Sequence, residues 1–208
     1  MFVWVSFDAF ALRAEAVVIL MDALAVRDAH IVAWSDVGAA AYYLGKMWPQ
    51  RCRSITFLGL ADRYYFPQPL NLLTKLLWAL PIEGLVPSRL LARILARFLG
   101  GAQVDPAWIS ARAAAIPQLA RLFKHSVLPN LMEHRPLEGE IRIPCLVVCG
   151  DLDALVTVQQ AKRMAKLLSN SREALIIKGG EHFLGYVSPG PVNKAIRAFY
   201  ASLDQNSK

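Results

Sequence analysis

Residues 30–45 read HIVAWSDVGAAAYYLG, and this stretch decides the fold. A short apolar run, His30–Trp34, gives way at Ser35-Asp36 to the small residues Gly38 and Ala39–Ala41. The run predicts a strand and the small residues a close-packed helix, which puts Ser35 on a sharp strand-to-helix turn. Two later stretches repeat the pattern. Gly150-Asp151-Leu152-Asp153 follows the apolar run Ile143–Cys149, and Gly180-Glu181-His182 follows Glu173–Lys178. Three predicted strand ends thus offer a hydroxyl, a carboxylate and an imidazole, in that chain order.

Working outward, the spacing predicts a helix over Phe7–Ala25, with Asp28 in the turn after it. Further strands are predicted at Arg53–Leu60 and Glu173–Lys178, with helices at Thr157–Leu168 and Val192–Leu203. Strand, helix and strand in this rhythm indicate βαβ units and a parallel sheet. Residues 61–140 differ: they are helix-rich, broken by prolines from Pro67 to Pro129, and without strand alternation. They are expected to form an inserted helical lid between two core segments, residues 1–60 and 141–208. Within the lid, Ser88–Leu99 sets Arg89, Arg93 and Arg97 on one helix face against Leu90, Leu91, Ile94, Leu95 and Phe98 on the other.

Composition narrows the function. With 55% hydrophobic and 19% charged residues, a chain of 208 residues can bury a large core, which argues against disorder. No uncharged apolar run reaches the roughly 18 residues of a membrane span, and the N-terminal residues lack the pattern of a signal peptide. A cytoplasmic location is the expectation. Cys145 and Cys149 lie four apart in one predicted strand, about 13 Å from each other, too far to bridge. The net charge of +7 is spread along the chain without aromatic-basic repeats or zinc spacing, so no nucleic-acid partner is expected. No two of the four histidines have the i, i+4 spacing of metal ligands, and no metal or cofactor is expected.

A serine on such a turn can act as a nucleophile, a loop histidine as its base, and a loop carboxylate as the group that orients the histidine. Each residue also has a plainer reading. Ser35 could cap a helix, Asp151 and Asp153 could be ordinary turn residues, and His182 could be a surface loop residue. Asp153 is the expected acid, and Asp151 is expected to cap the loop or bind backbone amides. Against the pattern G-x-S-x-G, the turn reads Ala33-Trp34-Ser35-Asp36-Val37, with both glycines replaced. A β-branched Val37 is expected to crowd it.

Taken together, residues 29–60 and 141–204 resemble the α/β-hydrolase family. HIVAWSDVGAAAYYLG is similar to its strand, elbow and helix, and IPCLVVCGDLDALVTVQQAKRMAKLL to its acid-bearing segment. ALIIKGGEHFLGYVSPGPVNKAIRAFY is similar to its histidine segment and final helix. The resemblance implies a parallel sheet flanked by helices with an inserted lid. It also implies Ser35 as nucleophile, His182 as base, Asp153 as acid and the backbone N–H of Asp36 as an oxyanion donor. Trp34, Trp78 and Phe183 would contact substrate. A tryptophan before the serine and an aspartate after it are similar to a valacyclovir-hydrolase-like group.

The chain departs from the family in beginning where the helix before the elbow begins. The strands that usually precede it, and the loop that supplies a second oxyanion donor, are not found, so the fold is expected to be truncated at its N-terminus. Loss of one such donor typically costs about 10²–10³ in rate. The His30–Trp34 strand would then be an apolar edge that a second copy or another partner covers. The leading expectation is a serine hydrolase acting on an apolar acyl or aryl ester. The alternative is a weak or inactive fragment, or a binding scaffold, for which the lid segment VPSRLLARILARFLGGAQVDP has a loose likeness to maspardin-like proteins. A third expectation is peripheral membrane contact through Ser88–Leu99.

Overall fold

A computed structural model describes residues 9–62, 105, 140–171 and 173–205. Four strands, β1 (Ala29–Trp34), β2 (Cys52–Leu58), β3 (Cys145–Gly150) and β4 (Leu175–Ile177), form a parallel sheet in the order β1-β2-β3-β4. The helices are α1 (Ala9–Ala23), α2 (Val37–Met47), α3 (Val158–Leu167), α4 (Leu184–Val187) and α5 (Pro189–Gln205). A single 3-10 turn, Pro49–Arg51, leads from α2 into β2. The expected lid, with Trp78, Trp108 and Ser88–Leu99, lies outside the described residues apart from Ala61, Asp62, Asp105 and Glu140.

Parallel strands packed on both faces bury nearly every side chain, which is why β2 and β3 read as apolar runs instead of alternating. All six residues of β3 are buried. Ile55, Phe57, Cys145, Val147 and Cys149 face a core shared with Ala14 of α1, Tyr42 and Leu44 of α2, and Met164 of α3. Leu58, Leu146 and Val148 face the opposite side, where Leu184 of α4 and Val192 and Phe199 of α5 close a second core. The architecture is the parallel, helix-flanked α/β sheet that the periodicity predicts. At the edge of the described sheet, β1 leaves Val32 48% exposed.

Local signals set the helix ends. Thr157 accepts a hydrogen bond from the Gln160 N–H while the Gln160 side chain accepts from the Thr157 N–H, a reciprocal cap that starts α3. β4 is shorter than its apolar run, because only Leu175–Ile177 pair with Val148–Gly150. The one-turn helix α4 escapes prediction, being too short to show a period.

Because all four strands run the same way, their C-terminal ends gather along one edge of the sheet. The loops there are held at close quarters by glycine. A methyl group added at Gly150 would lie 2.0 Å from the Gly180 carbonyl oxygen and 2.3 Å from its carbon. The Leu152 N–H donates to that same oxygen at 3.0 Å, and the Asp151 carboxylate accepts the Gly179 N–H at 2.6 Å. Asp151 thus binds a backbone amide, as its sequence position suggests.

The three cysteines are free and buried in the first core. Burial raises each thiol above its usual value of 9.0: Cys52 to about 11, Cys145 to about 12 and Cys149 to about 12, the last also repelled by Asp153 and Asp151.

Two outcomes follow from this packing. Gly150→Ala should lower the unfolding free energy by about 1–3 kcal/mol in chemical denaturation, since only backbone stands in the way. Gly185→Ala, where nothing lies within 4 Å, should not. The folded state also favours protonated thiols. The stability they contribute is therefore full below pH 9 and lost as the pH rises through about 11 to 12. Denaturation midpoints should hold below pH 9.0 and fall as the pH rises from there toward about 11, less steeply in Cys145→Ala; an identical fall in both would contradict it.

Candidate active site

The site starts at the last residue of β1. Ser35 follows Trp34 with φ of 58°, the left-handed region that a side chain rarely adopts. Its N–H still donates to the Leu58 carbonyl at 2.9 Å, as though β1 continued, while its own carbonyl accepts the Gly38 N–H at 2.9 Å and begins α2. One residue therefore completes the ladder and opens the helix, which pushes its side chain out of both. Gly38 lets α2 approach: a methyl there would lie 3.1 Å from both terminal carbons of Leu60. Val37 does not crowd the turn as expected, because it points outward and is 50% exposed. The close approach is made by Gly38, one position later than the G-x-S-x-G pattern puts its second glycine.

The Ser35 hydroxyl lies 2.8 Å from Nε2 of His182. Nδ1 of the same ring lies 2.9 and 3.0 Å from the two carboxylate oxygens of Asp153. The side chains of His182 and Asp153 are 1% and 0% exposed. One Asp153 oxygen also accepts the N–H groups of Leu155 and Val156, each at 2.8 Å. A carboxylate that only accepts suits all three donors, and it assigns the proton to Nδ1. Nε2 then keeps its lone pair toward Ser35. All three residues expected from the sequence meet, joined across 147 and 29 residues of chain.

Asp36 occupies the N-cap position of α2, where a backbone N–H has no acceptor within the helix. Its side chain makes no cap and instead accepts from Arg13 of α1 at 2.8 Å. Trp34 and Phe183 stand beside the histidine, their rings 4.7 Å apart, and the Trp34 indole N–H donates to the His182 carbonyl. Trp78 lies outside the described residues. His30 sits at the other end of β1, its Nδ1 2.8 Å from the Ser54 hydroxyl and its ring over Tyr200. Among the described residues no group of three or more His, Cys, Asp or Glu gathers as a metal site.

Two contributors escape the sequence reading. Gly59, with φ of 61°, directly follows β2 and lies beneath the pair. A methyl there would lie 3.3 Å from an Asp153 oxygen and from two atoms of the His182 ring. A glycine closing an apolar strand is a signal of close approach, and it was available at Leu58-Gly59. Arg13 gave no such signal, since its pairing with Asp36 spans 23 residues.

No protein-family model matches the chain, and no curated protein is significantly similar to it in sequence. Solved structures are similar in fold. An esterase from Thermogutta terrifontis superposes with a TM-score of 0.73 at 16% identity, covering 93% of this chain and 72% of that one. A meta-cleavage product hydrolase from Pseudomonas fluorescens gives 0.74 at 18% identity, covering 96% and 74%. An alpha/beta hydrolase fold protein from Nakamurella multipartita gives 0.55 at 24% identity, covering 91% and 75%. Sheet order, the left-handed serine at the end of β1 and these superpositions agree: the chain is a protein of the α/β-hydrolase fold.

Proposed function

We propose that the chain is a serine hydrolase that cleaves a carboxylic ester or related acyl compound through Ser35, His182 and Asp153. The observation that carries this reading is the continuous hydrogen-bond path from the Ser35 hydroxyl through both nitrogens of His182 to Asp153. The fold alone would not suffice, since its members named above include an esterase and a meta-cleavage product hydrolase.

In the proposed reaction, Ser35 Oγ attacks the substrate carbonyl carbon while Nε2 of His182 takes the hydroxyl proton. Asp153 stabilises the imidazolium so formed and keeps the ring in the required tautomer. Negative charge on the carbonyl oxygen would be met by the N–H of Asp36 at the start of α2, where the helix dipole also favours it. Collapse of the tetrahedral adduct breaks the ester C–O bond, and His182 returns the proton to the departing alcohol. Water then repeats the sequence on the acyl-serine and releases the acid. An apolar acyl or aryl group fits the sequence of residues 61–140, which is rich in leucine and contains Trp78 and Trp108.

A fluorophosphonate probe tests the reading, because it phosphonylates only an activated serine. The wild-type chain should be labelled, with Ser35→Ala and His182→Ala unlabelled and Asp153→Asn slowed by about 10⁴ at neutral pH. A folded wild-type chain that takes no label, or label that survives Ser35→Ala, would overturn it.

A further inference from the structure

We propose that Trp34 is a positioning residue that fixes His182 against the nucleophile turn, a role that rests on the reading of Ser35 and His182 as the reacting pair. The Trp34 indole N–H donates to the backbone carbonyl of His182 at 2.8 Å, across 148 residues of chain. Its ring also stands 5.5 Å from the imidazole and 4.7 Å from Phe183. Phe183 in turn stacks on Tyr186 of α4 at 5.3 Å, with the two planes only 8° apart. The Phe183 carbonyl accepts the N–H groups of Tyr186 and Val187, so the same residue starts α4.

These contacts close a ring of interactions. His182 meets the elbow twice: its Nε2 touches Ser35, and its carbonyl is held by Trp34, the residue directly before Ser35 in the chain. The neighbouring loop is also tied to the acid side, through Leu152 to Gly180, Asp151 to Gly179 and Asp153 to the imidazole. Those bonds fix the histidine relative to Asp153. The Trp34 bond fixes it relative to the serine. Trp34 is partly buried and packs against the second core, the cluster of Leu58, Val148 and Leu184, which gives the indole a firm footing. The anchor can therefore set a distance instead of following the loop. A reacting group misplaced by about 1 Å can lose about 10² in rate, so the bond has a measurable consequence.

The test compares Trp34→Phe, which keeps an aromatic ring and removes the N–H, with Phe199→Leu, a change in the same core remote from the turn. Fluorophosphonate labelling rates are followed from pH 5 to 9. The low-field proton resonance of His182 Nδ1–H, identified by its loss in His182→Ala, is recorded alongside. Trp34→Phe should label about 10–100 times more slowly, shift the midpoint of the pH profile and move the resonance. Phe199→Leu should lower the melting temperature and change none of these. The positioning role is overturned if Trp34→Phe keeps the wild-type rate, pH profile and resonance, or if Phe199→Leu matches its losses. Should the wild type take no label, the hydrolase reading fails by itself. The resonance then decides the positioning role: its movement in Trp34→Phe supports the role, and its constancy sinks it.

Discussion

The site depends on one backbone constraint, the left-handed conformation of Ser35. A residue with a side chain gives up about 1–2 kcal/mol to adopt it. Nothing in serine itself favours it; the surroundings impose it. The Ser35 N–H is claimed by β2 through Leu58, and its carbonyl by α2 through Gly38. Between those two bonds the chain must change from strand to helix within a single residue. A gentler turn would lay the hydroxyl along the sheet; this one lifts it to the imidazole. Strain of this kind persists only where surrounding structure over-determines it, as the buried Gly38–Ala41 segment and the strand ladder do here.

The other loops answer to the same edge of the sheet. Parallel strands bring Ser35, Gly59, Asp153 and His182 together without any of them being close in sequence. Glycine then removes the side chains that would hold the loops apart. Gly59 lies under the Asp153–His182 pair and Gly150 under Gly180, and in both places even one methyl group meets an atom at short range. The Asp153 carboxylate accepts two backbone amides as well as the imidazole, so its position is set by the main chain and not by the histidine alone. The histidine is the mobile-looking member of the set by sequence. In the fold it is among the most buried polar residues.

Much of this is legible in the sequence, for identifiable reasons. β1, β2 and β3 are apolar runs bounded by turn residues, and α2, α3 and α5 carry either small residues or a helical period. Ser35, Asp153 and His182 each follow such a run, so their meeting is a consequence of parallel strands. What stayed hidden depends on distance in the chain. The Trp34 indole N–H donates to a carbonyl 148 residues away, which no local pattern records. Arg13 reaches Asp36 from a different helix. Val37 looked obstructive because the pattern fixes residue type and not direction; it points outward, and Gly38 makes the approach.

The central claim is that the fold holds Ser35 in a strained turn in order to seat its hydroxyl on His182. Comparing the unfolding free energies of Ser35→Gly and Ser35→Ala tests this most directly, since both lose the hydroxyl and only glycine escapes the strain. The account predicts Ser35→Gly to be the more stable by about 1 kcal/mol, despite the greater freedom of its unfolded chain. Ser35→Ala equal to or more stable than Ser35→Gly would mean that the turn is relaxed, and the claim would fall.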